Sequence, residues 1–102
     1  MQESLEPVTR LLGVLADPNR MRILCVLTED CQHVSEIVAT TGLPQPLVSH
    51  HLRVLKQHGL AKSERQGAYT TYCFSHREMR KTFVRLCDLA RQFAALEAEA
   101  SS

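Results

Sequence analysis

The chain has no long apolar run, no CxxC pair and no strong excess of charge of either sign. A membrane span needs about 20 consecutive apolar residues, and no stretch comes near that. The opening segment, MQESLEPVTR, lacks the apolar centre of a signal peptide. The expected compartment is therefore the cytoplasm, with no membrane partner. Four cysteines are present, Cys25, Cys31, Cys73 and Cys87. In a reducing compartment, structural disulfides between them are not expected, so they read either as small buried apolar residues or as a sensing site. Without a CxxC pair, a phosphate loop or a nucleophile–base pair, an enzyme is not expected. A net charge of +1 does not by itself point to nucleic acid. There is no internal repeat, linker or low-complexity tract.

What is present is a 102-residue chain, 44% apolar and 23% charged, sized for one domain over 1–102 with a modest core. Charge is unevenly spread. Residues 43–66 carry Arg53, Lys56, Lys62 and Arg65 against Glu64 alone, while Glu3, Glu6, Glu97 and Glu99 sit at the ends. Such a local basic face suits a partner that presents phosphates to one surface.

Apolar spacing predicts five helices and a hairpin. Leu5, Val8, Leu11, Leu12 and Leu15 make a stripe over about 4–15. Asp17-Pro18 has the chemistry of a helix start, with Asp17 as N-cap and Pro18 at the first helical position. The helix it opens should bury Met21, Leu24, Cys25 and Leu27, leave Asn19, Arg20 and Arg22 wet, and end near 28–30. A third helix begins around 33–35 and closes at Gly42, a residue that accepts the left-handed conformation. A fourth, with Pro46 in its first turn, ends at His58-Gly59. Two β-prone runs, 60–64 and 69–74, flank Arg65-Gln66-Gly67-Ala68 as a hairpin. The last helix, about 77–96, carries Met79, Phe83, Leu86, Cys87, Ala90, Phe93 and Ala94, a stripe too long for a small core to cover. A second copy of the chain is its expected cover, joined by the first helix. Residues 98–102 are expected to fray.

The fourth helix concentrates the chemistry. Val48, Leu52 and Leu55 form its apolar stripe, and Gln45, Ser49, His50, Arg53 and Lys56 lie on other faces. A helix with one buried stripe and an outer face of amides, hydroxyls and cations can enter a DNA major groove, and its short link to the preceding helix makes 34–58 a helix-turn-helix candidate. Gln45, Ser49, His50 and Arg53 are candidate base contacts, since Gln can read adenine and Arg guanine. Lys56 and Lys62 suit phosphate; Arg65 and Gln66, near the hairpin turn, suit the minor groove or backbone. His51 lies beside the apolar stripe and reads as a packing residue.

The order of these elements, with LADPNRMRIL, LPQPLVSHHLRVLKQHGL and RQGAYTTY, resembles the ArsR/SmtB family of winged-helix repressors over nearly the whole chain. The resemblance implies a mainly α fold with a β-hairpin wing at about 60–74, dimerisation through the N- and C-terminal helices, binding to double-stranded operator DNA, and release when a small inducer is sensed. A winged-helix module that binds protein is the competing class. The resemblance also implies positions for the family's sensor sites. The third-helix cysteine pattern is absent, its positions being His33 and Ser35, which leaves Cys31 and His33 as a remnant metal pair. The terminal-helix zinc site maps onto His76, Glu78, Leu89 and Gln92, half of which cannot ligate. Cys25 in RILCVL and Cys87 resemble the thiol pair of the persulfide- and redox-sensing branch, with core packing as the alternative for both. Cys73 reads as packing, and a trigonal arsenite site drawn from Cys25, Cys31, Cys73 and Cys87 stays open. No cofactor is implied beyond thiol modification or a bound metal or metalloid.

Overall fold

Asp17 starts the helix that organises the rest. Its Oδ1 accepts from the backbone N–H groups of Asn19 at 2.9 Å and Arg20 at 3.0 Å, donors that an uncapped helix leaves unsatisfied. The computed structural model describes residues 4–101. Its elements are α1 (Leu5–Leu15), α2 (Pro18–Glu29), β1 (Gln32–His33), α3 (Val34–Thr41), α4 (Gln45–Gln57), β2 (Ala61–Gln66), β3 (Tyr69–Phe74) and α5 (Arg77–Ser101). The mainly helical fold with a small β wing is as expected. The helix starts and stops also follow the local signals: Gly42 closes α3 at φ 73°, and Gly67 turns the hairpin at φ 63°, both where a Cβ is disfavoured.

The sheet has a third strand that periodicity does not reveal. Its order is β1-β3-β2, antiparallel throughout, with Gln32 opposite Tyr72 and His33 opposite Thr71. A two-residue strand is too short to show alternation. The hairpin turn is tighter than predicted, since Arg65 and Gln66 are strand residues paired with Thr70 and Tyr69.

Ile23, Leu24, Ile37, Val48, Leu52, Leu55 and Leu60 are fully buried and form the centre of the core. Truncating one of these leucines to alanine costs about 2–5 kcal/mol. Three expectations for α2 need correction. Ile23 joins Leu24 and Leu27 in the core, whereas Cys25 is exposed and Met21 half-buried. Arg20, expected wet, keeps only 17% of its side chain exposed, because Nε donates to the Val14 carbonyl at 2.7 Å and Nη1 to His51 Nδ1 at 3.4 Å. Arg22 is exposed as expected, yet it donates to the Thr41 carbonyl and so ties α2 to the end of α3.

The terminal helices remain apolar on their outer faces. In α1, Leu5, Val8 and Leu12 are about half exposed. In α5, Phe83 is buried against Phe74, with ring centroids 5.6 Å apart, while Phe93 is 62% and Leu96 58% exposed. The helix runs past the predicted 96 to Ser101, so residues 98–101 are helical and not frayed. Residues 1–3 and 102, within the predicted 1–102 domain, lie outside the described residues. Among the described residues no helix is long and apolar enough to cross a membrane.

Candidate nucleic-acid interface and thiol sites

The buried side of α4 is Val48, His51, Leu52 and Leu55, packed on α2, α3 and β2. At about 100° per residue Ser49, His50 and Arg53 fall on the far arc, with Gln45 and Lys56 on its flank. Gln45, His50, Arg53 and Lys56 are exposed and Ser49 is half-buried. Lys56 Nζ donates to Ser63 Oγ of β2 at 2.7 Å, which fixes α4 to the hairpin beside it. On the hairpin, Lys62 lies 3.9 Å from Glu64 and Arg65 Nε donates to the Gly67 carbonyl at 3.3 Å. Gln66 Oε1 accepts from Thr71 Oγ1 at 3.5 Å. The eight predicted DNA-contact residues therefore belong to two adjoining elements, α4 and the hairpin. Tyr69, 65% exposed and tilted against His33 at 5.2 Å, stands next to them and was not anticipated; an exposed aromatic beside the Gly67 turn was the available signal.

His51 is the packing residue the sequence suggested. Since Arg20 donates to Nδ1, that nitrogen carries the lone pair, and Nε2 faces Asp17 Oδ1 at 4.0 Å. Burial lowers its pKa, helped by the Arg20 charge and opposed by Asp17. The carboxyl of Asp17 is in turn held below its usual range, first by the backbone N–H of Arg20. Asp17, Arg20 and His51 thus join the start of α2 to the middle of α4.

The cysteines divide into a bonded pair and a free pair. Cys31 and Cys73 form a disulfide across 42 residues of sequence, with Cα atoms 4.4 Å apart. This overturns the expectation that structural disulfides are absent and that Cys73 only packs. It also removes Cys31 as a thiolate ligand for the Cys31/His33 metal pair, and removes Cys31 and Cys73 from any arsenite site. His33 instead has Nδ1 3.4 Å from the Thr70 carbonyl and 3.2 Å from Thr71 Oγ1, and its N–H donates to Glu36 at 2.8 Å. Among the described residues no group of three or more His, Cys, Asp or Glu side chains could hold a metal ion. At the family's terminal-helix zinc positions, His76 Nδ1 is 3.1 Å from Ser75 Oγ and Glu78 is 3.7 Å from Lys81.

Cys25 and Cys87 are free. They share the wall of a cavity of about 230 Å³ between α2 and α5, with Phe83, Asp88 and Arg91. Desolvation raises the Cys25 pKa above its ordinary 9.0, the neighbouring Cys87 adds to the rise, and Arg91 opposes it.

Residues 17–63, the span from the α2 cap through α4 to β2, match the family model described as bacterial regulatory protein, arsR family. A helix-turn-helix transcriptional regulator of Methanocaldococcus jannaschii, MJ1325, is 34% identical over 71 residues, which cover 69% of this chain and 80% of that one. The chain belongs to the ArsR family. The transcriptional repressor SmtB of Mycobacterium tuberculosis is 41% identical over 71 residues, 70% of this chain, and the match spans about half, 53%, of that relative's length. Among solved structures, the homodimeric winged helix-turn-helix domain Mb0332 of Mycobacterium bovis superposes with a TM-score of 0.82 at 27% identity, covering 88% of this chain and 83% of that one. The ArsR-family match takes in α4 and the first residues of the hairpin, but stops before Cys73 and Cys87. The thiol geometry is thus read from this chain's own packing.

Proposed function

We propose that the chain acts as a homodimeric, DNA-binding transcriptional repressor in the cytoplasm, and that it releases its operator when a thiol-reactive species modifies Cys25 and Cys87. The carrying observation is the polar face of α4, exposed at Gln45, His50, Arg53 and Lys56 and flanked by the basic hairpin. Gln45, Ser49, His50 and Arg53 would face base edges, and Lys56, Lys62, Arg65 and Gln66 phosphates or the minor groove. The exposed stripes of α1 and α5 supply an apolar surface for a second copy. A two-fold axis there would set two α4 helices about 34 Å apart, one turn of duplex. The M. tuberculosis relative is described as a repressor and the M. bovis domain as homodimeric, which supports both parts.

The switch follows from the cavity that Cys25 and Cys87 share. A persulfide or an oxidant that joins them would bind α2 to the dimer helix α5. Any resulting shift of α5 changes the spacing of the two reading helices, and an inducing modification must favour the DNA-free form by linkage. A gel shift on the duplex upstream of the protein's own coding sequence tests the reading. The expected result is a retarded complex that polysulfide dissolves in the wild type and leaves intact in Cys87→Ser. Failure to retard the duplex would reject DNA binding and favour a protein-binding module; normal release in Cys87→Ser would reject the thiol pair.

A further inference from the structure

The bonded cysteines line a second cavity, which meets the Cys25/Cys87 cavity at Glu29. The β1–β3 ladder pairs His33 with Thr71 and Gln32 with Tyr72, so one step further along it Cys31 stands opposite Cys73. Their Cα separation of 4.4 Å matches a non-hydrogen-bonded antiparallel pair. The bridge is thus a third rung on a strand whose backbone pairing covers only Gln32 and His33. The covalent ring it closes runs from 31 to 73 and contains α3, α4, β2 and most of β3. Every predicted DNA-contact residue lies inside that ring.

The bridge is also open to chemistry. Cys31 is exposed and Cys73 is 8% exposed. Both line a cavity of about 310 Å³ whose charged walls are Lys62, Arg77 and Arg80 against Glu29, Asp30 and Glu64. Lys62 is the direct cross-strand partner of Cys73, so the two side chains leave the same face of the hairpin.

We infer that Cys31–Cys73 is a second thiol-modification site, a reducible latch between the α2–β1 corner and the hairpin, and that its reagent is a zwitterionic low-molecular-weight thiol. The balanced cations and anions of the walls match a reagent carrying both an ammonium and a carboxylate. The reagent's thiolate attacks Cys31 Sγ, the exposed sulfur. The S–S bond breaks, the reagent is left disulfide-bonded to Cys31, and Cys73 departs as a thiolate that takes a proton from water. Lys62 beside it favours that anion. A second reagent thiolate attacks the reagent's own sulfur in the mixed disulfide and releases Cys31 as a thiolate. Two reagent thiols are oxidised to their disulfide, and the protein bridge gains both electrons. Opening leaves β1 held by its two backbone rungs and the His33 contacts to Thr70 and Thr71. The hairpin then loses its covalent tie to the α2–β1 corner and keeps the Lys56–Ser63 hydrogen bond to α4.

The consequence for operator binding rests on the function proposed above; the latch itself does not. The test uses the full chain carrying Cys25→Ser and Cys87→Ser, so that only Cys31 and Cys73 can react. The oxidised and reduced forms of this one protein are compared, so the two serine substitutions are common to both arms. The oxidised form should show no alkylatable thiol and the reduced form both. Cysteine, a zwitterionic thiol, should give a transient adduct on Cys31 by mass spectrometry, and should react faster than neutral 2-mercaptoethanol at equal thiolate concentration. Amide exchange at Gln32, His33, Thr71 and Tyr72 should quicken on the order of tenfold after reduction. Two free thiols under oxidising conditions, or identical exchange in the two forms, would overturn the latch; an adduct on Cys73 would overturn the direction of attack, and equal rates for the two reagents the reagent class. Operator affinity, measured on the same samples, should fall on reduction. If exchange responds but affinity does not, the latch stands and its link to DNA binding is rejected.

Discussion

Replacing Asp17 tests whether one carboxylate both starts α2 and helps to seat α4. In Asp17→Ala, the N–H groups of Asn19 and Arg20 lose their acceptor, a loss worth about 1 kcal/mol at an N-cap. The Arg20 guanidinium, 3.9 Å from Asp17 Oδ2, loses an ion pair, and His51 Nε2 loses the negative charge 4.0 Å away. Asp17 is about a third exposed, so solvent screens these charge terms to a few tenths of a kcal/mol each. The sum for Asp17→Ala is about 1.5 kcal/mol. Asp17→Asn keeps an oxygen on the cap and loses only charge, so its cost is about 0.5 kcal/mol. Urea unfolding at one fixed protomer concentration measures both, since stability of an associating chain depends on concentration. The pH dependence gives a second reading. The folded-state pKa of Asp17 lies below its ordinary 3.8, so the charge contribution is complete above 3.8 and disappears as pH falls through the folded value. The gap between wild type and Asp17→Asn should therefore close in acid. Equal losses in the alanine and asparagine variants would refute the cap argument, and a gap that survives in acid would refute the charge argument.

Arg53→Ala should weaken operator binding by about 1–3 kcal/mol if Arg53 reads a base, and fluorescence anisotropy at fixed salt would detect it; unchanged affinity removes Arg53 from the groove. Phe83 holds α5 to the core against Phe74, so Phe83→Ala should cost about 3–5 kcal/mol in denaturant unfolding. A loss under about 1 kcal/mol would mean α5 is not anchored there. His51 has a folded pKa below its ordinary 6.5. The unfolded chain binds the proton first, so wild-type stability should decline as pH falls below 6.5. His51→Gln can still accept from Arg20 and should lack that decline; an undiminished decline in this variant would assign the proton elsewhere.

How much could be read in advance depended on the range of each interaction. Asp17 before Pro18, Gly42 after α3 and Gly67 in the hairpin all act within a few residues, and each was found in its expected role. The polar arc of α4 and the packing role of His51 follow from helical spacing alone. Burial on α2 was harder. Cys25 and Arg20 differ by five positions, and periodicity cannot say that the guanidinium finds Val14 and His51 while the thiol stays exposed.

Helix order, the polar face of α4, the hairpin and the family were thus written in local spacing and caps, because turns, helices and their ends are decided by neighbours in the chain. The pairing of β1 with β3, the bond from Cys31 to Cys73 and the meeting of Cys25 with Cys87 across α2 and α5 were decided only by the fold. Each of these joins residues tens of positions apart, and such approaches are set by which buried faces pack together, a property that no single segment carries.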